Sequence, residues 1–361
     1  MPKCLEPTTE VFFLSAQHLF EVGADLTTAE LLEAMGTAWR DIRAGSSFGG
    51  KAVLSLPEDA FWASGTKLPF RTQYVNERLG WKLSCLYSVN DHYGGVKVIG
   101  ANAFNRNLGL PRSTSTILLL EKQTLRLLVA LDGTLLSARR TGSYATTVME
   151  CFLNQAEPLD VCIFGTGPIA RAIIECLDFG FGEKITQFII RGRSEESAEK
   201  LREDLSTSVS APLVVAKDNS ALRGCGYVIT ATNARSPVFA DDELARSAVT
   251  LHLGGDEVPE AYLQRALRTG IVVCDDIKTV SRRNSQSVSL HFSRRGLSLE
   301  EIGPLVGVKE LSVQDSWDQT GGGPICVTCV GLPMLDLYAA QASYEKYLSL
   351  TSSQHSGARG S

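Results

Sequence analysis

Histidine is scarce and scattered. His18, His92, His252, His291 and His355 stand at no metal-ligand spacing, and no Ser-His-Asp order suggests a nucleophilic triad. Cationic charge is not in excess. The 35 Lys and Arg are spread among 40 Asp and Glu without a dense basic block, which argues against a nucleic-acid face and leaves small molecules as the expected partners. No membrane span is expected either, because no apolar run is long enough. The opening stretch "MPKCLEPTTEVFFLSAQHLF" has one lysine and an apolar run broken by Ser15, Gln17 and His18, so a signal peptide is not expected. The 9 cysteines, an odd number at scattered spacings, read as reduced thiols of a cytoplasmic protein. Cys326 and Cys329 of "CVTC" have a redox-like spacing but lie in an alternating apolar run, and are expected to be buried strand residues.

What is present is enough for two domains: 361 residues, 44% of them hydrophobic, where single cores stop growing near ~250–300 residues. "LTTAELLEAMGTAWRDIRAG" reads as a helix capped by Thr27 or Thr28, with Leu31, Leu32, Met35 and Trp39 on one face and Gly45 as a stop. From Lys51 to Leu131 short β-rich runs ("KLSCLYSV", "GVKVIGA", "STSTILLL", "LRLLVAL") imply an antiparallel or mixed sheet. "LLSARRTGSYATTVMECFL" reads as one helix. Beyond Leu159 strand and helix signals alternate through "DVCIFG", "PIARAIIECLDF", "ITQFIIR", "SAEKLREDLS", "PLVVA", "YVITAT", "DDELARS", "VTLHLGG", "PEAYLQRALRTG" and "IVVCDD". That alternation is the pattern of a doubly wound parallel α/β sheet. The expected boundaries are a first domain at 1–145, completed by a strand and long helix at 324–352, a nucleotide-binding domain at 146–323, and a flexible tail at 353–361.

"FGTGPIARAI" follows a strand and opens a helix, so Gly165, Thr166, Gly167, Pro168, Ile169 and Ala170 are placed to bring backbone N–H groups to a pyrophosphate. NAD-binding folds place an acid about 20 residues further on for the ribose hydroxyls. Here the sequence reads "FIIRGRS". Arg191, Arg193 and Ser194 would instead pair with a 2′-phosphate, which makes NADP(H) the preferred cofactor and NAD(H) the alternative. Thr230, Ala231, Thr232 and Asn233 end a later strand, where side chains face a bound nicotinamide. Lys51, Lys97 and Arg140 are candidate ligands of a substrate carboxylate. Lys97 is the most telling, since a lysine inside an apolar strand needs an anion. Asp256 in "LHLGGDEVPEAYL" is a candidate acid/base at an amine or imine; alternatively Asp256 or Glu257 caps the following helix.

In that order, "GVKVIGANAFNRNLGLP", "LLVALDGTLLSARRTGSYAT", "FGTGPIARAI", "VITATNARSPV", "LHLGGDEVPEAYL" and "VGLPMLDLYAAQASYEKY" resemble the ornithine cyclodeaminase and μ-crystallin family, over about Leu26 to Leu348. The resemblance implies a Rossmann domain carrying the nicotinamide cofactor and an α+β domain that builds the substrate pocket and the sheet of a homodimer. It implies hydride transfer at the C–N bond of an amino-acid substrate. Matched motif by motif, Lys97 and Arg140 meet the substrate carboxylate, Thr141 touches cofactor phosphate and Asp256 is the acid/base. Lys51 stands where members usually have an arginine, keeping the charge without the bidentate fork. "GLPRSTSTILLL" is similar to N-(2-amino-2-carboxyethyl)-L-glutamate dehydrogenases of siderophore and peptide-antibiotic metabolism, which would give Arg112 a second carboxylate. The "GGD" motif is similar to ornithine cyclodeaminases, which form proline and ammonia, and "RGR" to NADP-using μ-crystallins, for which binding without turnover is an alternative.

Overall fold

A computed structural model describes residues 11–63, 71–75, 78–153, 157–314, 317 and 322–357, with side chains as far as residue 352. Two compact units emerge, one from residues 1–56, 80–137 and 333–361, the other from 57–79 and 138–332.

The first unit holds a six-stranded sheet of β1 (Phe12–Leu14), β2 (Phe48–Ser55), β3 (Lys82–Val89), β4 (Tyr93–Ala101), β5 (Ser113–Glu121) and β6 (Leu127–Asp132). Its order is β1-β6-β5-β4-β3-β2, antiparallel except for the β1 and β6 pair, so the mixed sheet expected from the short runs is present. Directly paired residues share a face. The row Lys51, Leu86, Lys97, Ile117, Leu131 therefore lies on the inner face, over which helix Pro333–Gly357 packs with Leu337, Ala340 and Tyr344. Helix Thr28–Arg43 begins in a reciprocal cap, Glu30 N–H donating to the Thr27 hydroxyl at 3.2 Å and Thr27 N–H to the Glu30 carboxylate at 2.7 Å. Leu31, Met35, Ala38, Trp39 and Ile42 form its buried stripe. On the sheet's outer face Phe48, Leu54, Leu83, Tyr87 and Val98 stay exposed.

The second unit is an all-parallel sheet of β7 (Leu159–Phe164), β8 (Ile185–Arg191), β9 (Leu213–Val215), β10 (Cys225–Thr230), β11 (Val249–His252), β12 (Ile271–Cys274), β13 (Lys309–Glu310) and β14 (Ile325–Thr328). The order β13-β12-β14-β11-β10-β7-β8-β9 reverses direction at β7 and β10, as a doubly wound fold requires.

Several expectations are corrected. The strand of "CVTC" pairs between β11 and β12, so the second unit extends to Leu332; Cys326 and Cys329 are buried there. Residues 57–79 belong to the second unit, where Arg235 donates to the Glu58 carboxylate at 2.7 Å and to the Tyr74 carbonyl at 2.8 Å. The single helix expected over 135–153 is two, Thr134–Gly142 and Tyr144–Phe152, with the Ser143 hydroxyl donating to the Arg140 carbonyl at the break. "DDELARS" forms only a 3₁₀ turn at Asp241–Glu243. The final helix reaches Gly357, so the tail expected from residue 353 is helical that far, and 358–361 lie outside the described residues. Among the described residues, no helix is long and apolar enough to cross a membrane.

Candidate active site

In the second unit the turn after β7 has the geometry a dinucleotide needs. Gly165 sits at φ +122°, and a Cβ there would lie 2.6 Å from the Ala231 carbonyl oxygen, so only glycine lets β7 and β10 close side by side. Gly167 is exposed, with nothing near the position a Cβ would take, and it opens helix Pro168–Phe181 without a side-chain cap. Pro168 occupies the first turn, which leaves the helix N-terminus and its dipole facing outward beside Thr166 and Ile169. These residues fit a pyrophosphate. At the end of β8 Arg191 donates to the Gly192 carbonyl at 3.3 Å, and Arg193 and Ser194 are exposed. The Ser194 hydroxyl caps helix Glu195–Leu205 by accepting from Ser197 N–H at 3.3 Å.

The carboxyl ends of β10 and β11 hold a buried polar network that the sequence did not reveal. Glu257 is fully buried, and its carboxylate accepts from the Thr230 hydroxyl at 2.8 Å, the Thr232 N–H at 2.6 Å, the Thr232 hydroxyl at 2.5 Å and Gly254 N–H at 2.9 Å. Burial pushes this carboxyl above its usual range, against those donors. His252 continues the chain, Nδ1 lying 2.9 Å from Thr230 Oγ1 and Nε2 2.8 Å from Thr250 Oγ1. Burial holds its imidazole down at about 3. Thr230 and Thr232 are thus corrected: their hydroxyls turn to Glu257 because a buried carboxylate needs donors. The Asn233 amide donates to the Arg78 carbonyl at 2.5 Å. Helix Glu260–Thr269 has Pro259 at its N-cap, so neither Asp256 nor Glu257 caps it.

Asp256 is buried. Its carboxylate accepts from the Ser287 hydroxyl at 3.0 Å and from Arg294, and Arg78 lies 3.9 Å away. Arg78 and Arg294 were not foreseen, for nothing in the local sequence marks either as a neighbour of Asp256. On helix Thr134–Gly142, Arg140 is 4% exposed and Thr141 half-buried.

In the first unit Lys97 is 2% exposed on the inner face and finds its anion within the fold: Asp336 on helix Pro333–Gly357, at 2.7 Å. Its ammonium also donates to the Ser137 hydroxyl at 3.1 Å. Asp336 was missed, although it is the lone acid of the apolar stretch "LPMLDLYAA". Lys51, half-buried, occupies the same cross-strand row as Lys97, two strands away. Arg112, half-buried, leads into β5, its carbonyl accepting from Asn102 N–H at 2.8 Å.

Comparison with known proteins bears on this arrangement. The chain is 25% identical over 264 residues to the delta(1)-pyrroline-2-carboxylate reductase of Bacillus cereus, spanning 70% of this chain and 77% of the relative. Among solved structures, delta(1)-pyrroline-2-carboxylate reductase of Thermococcus litoralis, in complex with NADH and L-proline, superposes with a TM-score of 0.75 at 18% identity, covering 93% of this chain and 97% of that one. An archaeal alanine dehydrogenase dimer with bound NAD gives 0.74 at 18% identity, covering 94% and 96%. Both structures show the same fold. The model of the ornithine cyclodeaminase/mu-crystallin family matches residues 69–303, more than half of the sequence, and the chain belongs to that family.

Proposed function

We propose that this chain is a nicotinamide-dependent oxidoreductase that transfers a hydride at the C–N bond of a small amino or imino acid. The observation that carries the reading is the uncapped helix start beside exposed Gly167, at the point where the strand order of the parallel sheet reverses. The Bacillus cereus relative, named as a reductase of a cyclic imino acid, supports the reaction class.

The segment Gly165 to Ile169, with Thr141, Ala231 and Asn233, would hold the cofactor, and when bound the nicotinamide supplies or accepts the hydride. Arg191 and Arg193 stand where an acid would hold ribose hydroxyls, which favours NADP(H) over NAD(H). Arg140 is assigned to the substrate carboxylate, with Lys51 as a further cation for the same group, while the charge of Lys97 is met by Asp336. Asp256 exchanges a proton with the substrate nitrogen, its carboxylate already oriented by Ser287. The finer reading is an N-linked diacid such as N-(2-amino-2-carboxyethyl)-L-glutamate, its second carboxylate on Arg112. Ornithine cyclodeamination is the second reading, favoured by Gly254-Gly255-Asp256. The apolar outer face of the first unit's sheet suits a homodimer with a second copy. The cysteines among the described residues are all free, consistent with a reducing, cytoplasmic compartment.

The test has two stages. Titration of wild type and Arg193→Ala with NADPH and NADH should show NADPH affinity falling about tenfold or more in the variant and NADH affinity unchanged. Equal NADPH affinity would remove Arg193 from the cofactor site. Turnover is then followed with delta(1)-pyrroline-2-carboxylate, L-ornithine and the diacid. Ammonia and proline from ornithine without net cofactor change would make the chain a cyclodeaminase; cofactor binding with no turnover would leave a binding protein.

A further inference from the structure

At the end of β12, Asp275 is fully buried, and one of its carboxylate oxygens gathers three donors: Val330 N–H at 2.9 Å, Gly331 N–H at 2.9 Å and the Tyr144 hydroxyl at 3.0 Å. The Tyr144 oxygen accepts in turn from Leu332 N–H at 2.9 Å. Three consecutive amides of the turn after β14 are thus tied to two buried side-chain oxygens. A turn tied in this way is held in one conformation, because moving it would strand buried donors. Burial raises both the Asp275 carboxyl and the Tyr144 hydroxyl, so the phenol keeps its proton and remains a donor.

The turn presents a bare α-carbon to one side chain. Gly331 has φ +91°, and a Cβ there would lie 2.8 Å from Nη1 and 3.1 Å from Nη2 of Arg140. The guanidinium therefore lies directly against the glycine, in a place that any other residue would fill. A side chain with Arg140's reach needs such a stop if its fork is to meet a carboxylate in one orientation.

We propose that Tyr144 and Asp275 are positioning residues for Arg140, acting through the Val330–Leu332 turn and its glycine. The inference rests on the assignment of Arg140 to the substrate carboxylate. It adds that carboxylate affinity is set by groups that touch neither substrate nor cofactor.

Tyr144→Phe keeps the ring and removes the hydroxyl, and Gly331→Ala adds one methyl group against the guanidinium. In each, the ¹⁵N–¹H resonance of Arg140 Nε should shift, and KM for delta(1)-pyrroline-2-carboxylate should rise about tenfold while NADPH affinity stays within about twofold. If Gly331→Ala does not fold, Tyr144→Phe decides alone. An unshifted Arg140 resonance in a folded variant overturns the proposal, as does an equal loss of substrate and cofactor affinity, which signals general loosening. Arg140→Lys separates the two layers: unchanged KM in that variant defeats the carboxylate assignment, whereas the resonance still decides whether the turn positions Arg140.

Discussion

Two buried charges, Lys97 in the first unit and Glu257 in the second, are accommodated by opposite means. In the first, Lys97 meets one full countercharge, Asp336 at 2.7 Å, under an apolar helix. In the second, Glu257 meets neutral dipoles: two threonine hydroxyls and two backbone amides. Removing either member of a buried ion pair leaves a bare charge in low dielectric. A carboxylate shared among several donors loses only a fraction when one donor goes. The first arrangement should therefore be brittle and the second tolerant.

The sharpest break of this contrast is Asp336→Ala, expected to destabilise the protein by about 3–5 kcal/mol, with Lys97→Met plus Asp336→Leu recovering most of the loss. Calorimetry of the three proteins decides it, and a double variant as unstable as the single would show that packing, not the pair, was at stake. Next, Glu257→Gln should cost about 1–3 kcal/mol in urea unfolding, since one amide oxygen still accepts while the new NH₂ faces one backbone N–H and one threonine hydroxyl. A loss as large as that of Asp336→Ala would erase the difference between the two sites.

A further break is a pH slope. His252 sits in the same network, held down at about 3 from 6.5 by burial. Between those values the unfolded chain binds a proton that the folded chain refuses, so stability falls as pH drops through the window, by up to about 1.4 kcal/mol per pH unit. Glu257, raised by burial, works in the opposite direction: acidification through its folded pKa relieves a penalty. Comparing wild type with His252→Gln isolates the histidine. The variant should have a flatter acid limb, and an unaltered limb would exclude His252 as its source.

Much of this molecule is legible from local pattern. Strand and helix alternation after Leu159 specifies the parallel sheet, and Thr27 with Glu30 marks a helix start, because both signals lie within a few residues. Lys97 is recognisable as a buried cation from the apolar strand around it. Its partner is not, because Asp336 arrives from a helix at the other end of the chain and carries no spacing that points back. Thr230 and Thr232 show the same limit: strand ends predict ligand-facing hydroxyls, and only the three-dimensional position of Glu257 turns them inward. The attachment of residues 57–79 to the second unit also depends on remote partners, Arg235 above all.

Helix Pro333–Gly357 has a consequence in time as well as in space. The first unit's sheet is translated before the second unit's sheet, yet the helix that covers its inner face, and the acid that neutralises Lys97, are translated after both. On the ribosome the parallel sheet has all its strands before the earlier sheet has its lid. The six-stranded sheet must wait with Lys97 hydrated and its apolar row exposed, and this is the interval in which a growing chain most needs protection from aggregation.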